Sequence, residues 1–433
     1  MASTYLSKTF GSAGNRKTWT FSAWIKRAKL STNQILFSAN THLRIYDDDK
    51  IGIGIDGVGN FKSSGVIRDT SGWYHIVYKV DTTLASNKLT LYINGSVFLQ
   101  TDAGYSLNAD TNFNNNVLHY IGQDTDVPSW FFDGQMAHVH FIDGTAYDAS
   151  AFGETDATTG IWKAKTAPSF TYGTNGFFLK FQNSGSMGTD SSGNANNFTV
   201  NGTMTQTVDT PSNVFATWNP LDNYYNASTF SNGNNTVLTG YSNYTFNSAT
   251  LAVSKGKWYW EVKVATSGTY DDIGIVSKLS TSSTEYMYTP QYNYDYFSNG
   301  QIGYNNVAYA YGSSYTTGDI ISVAMDLDNN KLYFAKNGTW QNSGVPTSGA
   351  TGTGAVSIGD ASITPMGCYT PAVGENWNVA SGTYQGNFGN GYFGTTAVSS
   401  AENPDDGIGI FEYTVPTGYK ALCTKSINAQ EYS

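Results

Sequence analysis

Two cysteines, Cys368 and Cys423, are all that 433 residues contain. That scarcity excludes a disulfide framework and a cysteine-built zinc site. A single bridge between the two stays open. Charged residues make up only 13% of the chain. Long helices draw on Ala, Glu, Lys and Leu, so so little charge argues against a helical fold. Glutamate is scarcer still, with seven residues at 154, 261, 285, 375, 402, 412 and 431, none within five residues of another. No run of 18 apolar residues occurs, so no membrane insertion is expected. The opening MASTYLSKTF lacks a charged-then-apolar run, so no signal peptide is expected. A net charge of −10 and an isoelectric point near 4.9 argue against a nucleic-acid partner.

What is present is glycine, 46 residues, and tyrosine, 31, with much Asn, Ser and Thr. This composition describes many short strands joined by tight turns. A hydrophobic content of 39% is enough for packed cores. The length suggests two or three domains. Charge is uneven: residues 1–100 carry 12 Lys/Arg against 6 Asp/Glu, leaving 11 against 27 for the remainder. The basic end is either ordinary surface variation or a place that docks on an acidic partner.

Strand patterns dominate the first half. Thr18 to Ile25 alternates, with Trp19, Phe21, Ala23 and Ile25 on one face. Gly72 to Val80 puts Trp73, His75, Val77 and Lys79 on one face and Tyr74, Ile76, Tyr78 and Val80 on the other. Lys88 to Val97 reads as a hairpin turning at Asn94-Gly95, a favoured type I′ pair. Leu118 to Gly122 and Gly134 to Ile142 add further strands. Asn337-Gly338 reads as a second turn of the same kind. Strands at this spacing predict a sandwich.

In order, FSAWIKR (Phe21 to Arg27), GWYHIVYKV, LTLYINGSV and FFDGQMAHVHFIDGTAYDASAFGE (Phe131 to Glu154) resemble a LamG-like, concanavalin A-type jelly roll over roughly residues 1–155. The later GTDSSGNANNFTVNG (Gly188 to Gly202) resembles a segment that opens many such domains. It is expected to supply the strand that the N-terminus lacks, which extends the first domain to 205. In the second half, KGKWYWEVKV (Lys255 to Val264), DIGIVSK (Asp272 to Lys278), GDIISVAMDLDNNKLYFAKNGTW (Gly318 to Trp340), MGCYTPAVG and NFGNGYFG together resemble the SPRY domain, a β-sandwich used for binding. The expected architecture is therefore all-β: a LamG-like sandwich at 1–205, a packed linker at 206–225, a SPRY-like sandwich at 226–420 and a C-terminal tail at 421–433. The segments Thr189 to Leu221 and Asp405 to Asn428 resemble recurring pieces of environmental tailed-phage proteins. That resemblance implies a tail fibre, adhesin or other virion-surface protein, located on the virion.

Catalytic signatures are sparse. A retaining glycosidase needs two carboxylates about 5 Å apart, and Glu154-Thr155-Asp156, the nearest candidate pair, falls in a turn. There is no Gly-x-Ser-x-Gly elbow and no phosphate loop. His138 and His140 share a strand face and could hold a metal; the plainer expectation is a solvent-facing pair. Asp326 to Asn330 reads as a hairpin turn rather than a calcium loop, and Asp47 to Asp49 as a loop between strands. Asp124, Asp126 and Asp133 are left as candidates for calcium, the one cofactor considered.

The expectation is thus a non-enzymatic binding protein. Tyr286, Tyr288, Tyr292, Tyr294, Tyr296 and Tyr304 lie in a tyrosine-dense stretch that supplies binding loops in SPRY domains, with Tyr292, Tyr294 and Tyr296 sharing a strand face. The same stretch also reads as a buried strand ladder. On the first domain, Trp130 ends the loop Gln123 to Trp130 and could stack on a sugar ring. Expected partners are a host cell-surface glycan or receptor, other virion proteins, and further copies of the chain. A structural virion role is the alternative, and a glycan-degrading enzyme the third.

Overall fold

Two compact units divide the chain, residues 1–206 with 210–212 and residues 207–209 with 213–433. The computed structural model describes residues 3–166, 168–223, 228–240, 244–278, 285–375 and 380–431. Both units are antiparallel β-sandwiches, as the alternating patterns require.

The first unit packs a seven-stranded sheet on a six-stranded one. The seven-stranded sheet runs in the order Thr199–Asn201, Tyr5–Thr9, Leu118–Ile121, Gln34–Ser38, Thr41–Ile45, Lys50–Ile55 and Gly59–Val66. Its first strand comes from the late Gly188 to Gly202 segment and pairs with Tyr5–Thr9. The six-stranded sheet runs Phe177–Leu179, Gly134–Asp143, Thr18–Arg27, Tyr74–Asp81, Leu89–Ile93 and Ser96–Thr101. Trp19, Phe21, Ala23 and Ile25 point into the shared core with Ile76, Tyr78, Leu43, Ile45, Ile51 and Ile53. Asn94 and Gly95 have φ of 47° and 81°, as a type I′ turn needs.

The outer face of the six-stranded sheet is covered by its own chain. Val77 and Ile142 pack there against Ala149 and Phe152, with Tyr92, Tyr147, Trp162, Phe170 and Tyr172 around them. His140 belongs to this layer, against the expectation of a solvent-facing pair with His138. A β-bulge lies between Ala137 and His140, and His138 sits at φ 48°. The bulge breaks the alternation, and both rings lie against Phe178 rather than in solvent. His140 is buried, stacked on Phe178 with ring centroids 3.9 Å apart and bonded from Nδ1 to the Tyr172 hydroxyl at 2.8 Å.

Asp49, expected in a plain loop, is buried against the equally buried Arg27 at 3.1 Å and also takes Arg68 at 2.9 Å. It accepts the Ser31 amide as well. Asp49→Ala leaves Arg27 with only two main-chain acceptors, Ile67 and Lys29. Breaking one side of a buried pair costs about 3 kcal/mol. Calorimetry should show the first unit's transition falling by about 6–12 °C with the second unit unmoved; a shift under 1 °C would refute the pair's role.

The second unit packs a nine-stranded sheet on a six-stranded one. Lys257–Thr266 lies centrally in the first, between Ile320–Asp326 and Thr383–Asn387. Trp258, Trp260, Val262 and Val264 fill the core from alternate positions. The six-stranded sheet runs Thr245–Ser248, Thr370–Glu375, Asp271–Val276, Tyr294–Phe297, Gln301–Tyr304 and Val307–Ala310. The Asp326 to Asn330 segment closes a hairpin, with the Asp326 carboxylate accepting the Asn329 amide at 3.0 Å. Phe215 and Trp218 of the 206–225 stretch are buried in this unit. The C-terminal segment is no separate tail. Lys420–Ala421 pairs in parallel with Lys257–Thr266, Ala421, Leu422 and Cys423 are fully buried, and a helix runs over Thr424–Glu431. Cys368 and Cys423 are both free thiols.

Candidate functional site

One sandwich face of the first unit is covered, so the outer face of the seven-stranded sheet is where side chains can meet a ligand. On Thr41–Ile45, Leu43 and Ile45 enter the core, which sends His42 and Arg44 outward. The neighbouring strand carries Gly52 and Gly54 at the paired outward positions. A Cβ on Gly54 would collide with the His42 imidazole, so glycine there makes room for the ring. The next strand adds Asn60 and Lys62.

Arg44 is the centre of this face. Its guanidinium lies 4.1 Å from the Tyr46 ring centroid and 4.7 Å from that of Trp130. Nη2 donates to Asn60 Oδ1 at 2.9 Å, while the buried Nε and Nη1 have no partner. Lys62 Nζ stands 4.3 Å from the Tyr46 ring. Each such cation–π contact is worth about 0.5–2 kcal/mol, more as it is desolvated.

Trp130 is delivered by a loop that its own residues hold. Asp124 Oδ1 accepts the amides of Asp126 and Val127 at 2.8 and 3.2 Å. Gln123 Nε2 donates to the Pro128 carbonyl at 3.1 Å, and a bridge joins Gln123 to Phe131. The other Asp124 oxygen lies 3.3 Å from His42 Nδ1, too poorly aimed for a good hydrogen bond. Burial lowers the His42 pKa, with Asp124 pulling the other way. Burial, then a hydrogen bond to Asp126, raises the Asp56 carboxyl.

This arrangement suits a polar ring. Trp130, only partly buried, offers indole surface, while Asn60 on the same sheet face and the exposed Asp126 of its own loop offer polar groups. It does not suit calcium. Asp124 is committed to its loop and to His42, and Asp133 lies apart beside Lys29 with its carboxyl raised by burial. Among the described residues, no group of three or more His, Cys, Asp or Glu could hold a metal ion. The expected trio of Asp124, Asp126 and Asp133 therefore does not converge. Arg44, Tyr46, Asn60 and His42 were not picked out from the sequence. Their signal was the alternation of Thr41 to Tyr46, in which the outward set is cationic and aromatic.

The tyrosines of the second unit divide between the two faces of one sheet. Tyr294 and Tyr296 are core residues, packed with Ile273, Ile275 and Phe334, and so cannot be contact residues of an exposed loop. Tyr292 precedes the strand at φ 72° and is partly buried on Gly359, so it does not continue the alternation. Tyr304 is partly buried, stacked on Tyr294 at 5.4 Å. Tyr286 and Tyr288 lie on the opposite side. Tyr286 meets the Tyr244 hydroxyl at 3.1 Å, and Tyr288 packs edge-on against Phe297 at 5.0 Å.

Residues 2–151 match the family described as the concanavalin A-like lectin/glucanases superfamily, and residues 257–358 match the SPRY domain. The chain joins a concanavalin A-like domain to a SPRY domain. Among solved structures, the SPRY domain of human HERC1 is similar at 13% identity over 39% of this chain and 96% of that one, with a TM-score of 0.29. Stonustoxin is similar at 15% over 40% of this chain and 27% of its own, also at 0.29. A human SPRY domain matches at 16% over 35% of this chain and 91% of its own, at 0.25. The two domain types suggest a role in binding carbohydrate or protein.

Proposed function

We propose that the protein is a non-enzymatic recognition protein whose concanavalin A-like domain binds a cell-surface glycan on the Trp130 face. The observation that carries this reading is the partly exposed indole, braced by Arg44 at 4.7 Å and by His42 edge-on at 6.2 Å, with Asn60 bonded to Arg44 beside it. Two further arrangements speak for binding over chemistry. Asp124, the buried carboxylate of this face, is committed through Oδ1 to the Asp126 and Val127 amides, with Oδ2 against His42, so it is not free to serve as one of the two carboxylates a retaining glycosidase needs. Ser22 and His75 touch at 2.9 Å, but both are buried, and Nδ1 of His75 accepts the Trp162 indole N–H at 3.0 Å. The proton then sits on Nε2, the nitrogen facing Ser22, so this ring cannot take the serine proton.

The biological setting we propose is the surface of a phage virion, where the protein acts as an adhesin on a bacterial host. That part rests on the resemblance of Thr189 to Leu221 and Asp405 to Asn428 to phage virion segments. The test is binding of the full chain to extracted host envelope polysaccharide. Trp130→Ala should weaken it about tenfold or more, the scale of a lost stacking ring. Failure of the full chain to bind any envelope glycan, with assembly onto other virion proteins instead, would overturn the glycan reading. The structural alternative draws on one observation of its own, the open sheet edge at Val307–Ala310.

A further inference from the structure

Most outer strands of the two sandwiches carry some protection against pairing with another chain. Gly59–Val66 is bulged and carries Lys62. Ser96–Thr101 meets its partner across a register shift. Thr199–Asn201, Phe177–Leu179 and Thr229–Ser231 are three residues long. Bulges, charges and brevity are the usual means of blunting an edge. Val307–Ala310 has none of them. All four residues are exposed, the pairing with Gln301–Tyr304 is in register throughout, and there is no proline. No charged residue occurs between Asp295 and Asp319, in a chain whose net charge is −10. Among the described residues, no strand pairs with its other side.

The main chain of this edge is set by its turn. Asn305 and Asn306 have φ of 47° and 59°, a two-residue type I′ hairpin between Tyr304 and Val307. The residues flanking such a turn bond to each other, so Val307 and Tyr309 direct their N–H and C=O groups inward, to Tyr304 and Ile302. Ala308 and Ala310 direct theirs outward. The side chains follow a second pattern. A row of rings crosses the sheet from the fully buried Tyr369 to Tyr294, Tyr304 and Tyr309, with centroids 6.3, 5.4 and 5.4 Å apart. The row ends in solvent: Tyr309 is 48% exposed and Val307 beside it 46%. A core ladder thus stops one strand short of being covered.

We propose that Val307–Ala310 is a docking edge for an extended, uncharged peptide segment of a partner protein. The segment adds to the sheet as a further strand, bonds to the outward groups of Ala308 and Ala310, and lays alternate apolar or aromatic side chains on Val307 and Tyr309. Main-chain bonds supply affinity and the ring row supplies selectivity for those alternate positions. A peptide fits better than a second copy of this chain. Two four-residue edges joined to each other bury far less than the roughly 1,200–2,000 Å² of a stable interface, and both copies carry the same net charge.

The experiment selects a random octapeptide library on the immobilised full-length protein and reads the enriched sequences. The expected result is enrichment of uncharged peptides that alternate apolar or aromatic residues with polar ones. Ala308→Pro removes one outward N–H while leaving the Tyr304–Val307 and Ile302–Tyr309 bonds in place. It should weaken the enriched peptides at least tenfold with the thermal transitions unchanged. Tyr309→Asp keeps the main chain and should weaken them by a similar factor. N-methylation of alternate peptide amides should abolish binding in one phase of the alternation and not in the other, a readout independent of how either variant folds. Peptides that bind Ala308→Pro, Tyr309→Asp and wild type equally, or that tolerate methylation in both phases, would overturn the proposal. So would no enrichment over a blank surface. Self-association of the wild type that is lost in Ala308→Pro would make a second copy the occupant and overturn the peptide.

Discussion

Acidification from pH 6.5 to 4 is expected to unfold the concanavalin A-like domain selectively while firming the SPRY domain. Three histidines of the first domain are buried neutral. His75 accepts the Trp162 indole N–H, and burial lowers its pKa to about 3. His119 accepts the Asn114 amide at Nε2, and burial lowers it to about 4. Burial, reinforced by His138 and His75, holds His140 well below the ordinary value. A base whose folded pKa is depressed binds protons more readily when unfolded. Its contribution is intact above the unfolded pKa, near 6.5, and is lost as pH falls toward the folded value. A group displaced from 6.5 to 4 costs about 3 kcal/mol by pH 4, so His75 and His119 together cost an amount comparable with the whole stability of a domain, and His140 acts in the same direction.

The SPRY domain responds with the opposite sign. Burial raises the carboxyls of Glu261 and Glu375 to about 7 from an ordinary 4.5. An acid with a raised folded pKa contributes most below its unfolded pKa and loses that contribution as pH rises through 4.5 to 7. Lowering the pH across that window therefore helps this domain. Calorimetry of the full chain at pH 7, 5.5 and 4.5 should show the two transitions moving apart. Asp49→Ala, which lowers the first only, assigns them. His119→Gln should flatten the acid loss of the first transition. Two transitions that fall together on acidification would refute the account.

The period-2 alternation of Thr18 to Ile25, Gly72 to Val80 and Lys255 to Val264 made the sandwiches legible, because burial of one face imposes that pattern directly on the chain. The same rule failed at His138, since a bulge inserts one residue and leaves no mark in composition. Tyr294 and Tyr296 were ambiguous for a different reason. Tyrosine serves equally as core and as contact surface, and only the position of the opposing sheet decides between them. Trp130 was legible as the stiffened end of a loop. Its supporting set was not, because Arg44 and Asn60 reach it from strands far off in sequence. Asp49 looked like a loop carboxylate for the same reason, with its partner Arg27 at the end of another strand. Local rules expose what a residue's neighbours in sequence demand; a site assembled across three strands and a distant loop needs the register of all of them.

Glu261→Ala is expected to be among the most destabilising single substitutions available in the SPRY domain. The residue sits in the middle of Lys257–Thr266 and is fully buried. One carboxyl oxygen accepts the Tyr259 hydroxyl and the Tyr413 amide, both at 2.9 Å; the other accepts the Glu412 amide at 2.9 Å and the Asn387 side chain at 3.2 Å. Three of the four donors lose their acceptor when the side chain is cut back to alanine, while the Asn387 amide keeps the Ile410 carbonyl at 3.0 Å. Each stranded group costs about 1–3 kcal/mol, which brings the total to about 5 kcal/mol. The Tm of the second transition should then fall by about 10–20 °C. The first loss should be local, because Glu412 and Tyr413 belong to the segment whose Phe411, Val415, Tyr419 and Cys423 form a separate core cluster. Limited proteolysis should cut this segment in Glu261→Ala before any other part of the domain. Glu261→Gln keeps the shape and one accepting oxygen, but turns an amide N–H₂ toward two donors, so a smaller fall is expected. The gap between Glu261→Gln and wild type should narrow as pH rises from 4.5 to 7, because both keep the loss at Glu375 but only the wild type carries the further loss at Glu261. A Glu261→Ala protein that melts within 2 °C of wild type would show that the clasp from Glu261 to the C-terminal segment contributes nothing to holding the domain together.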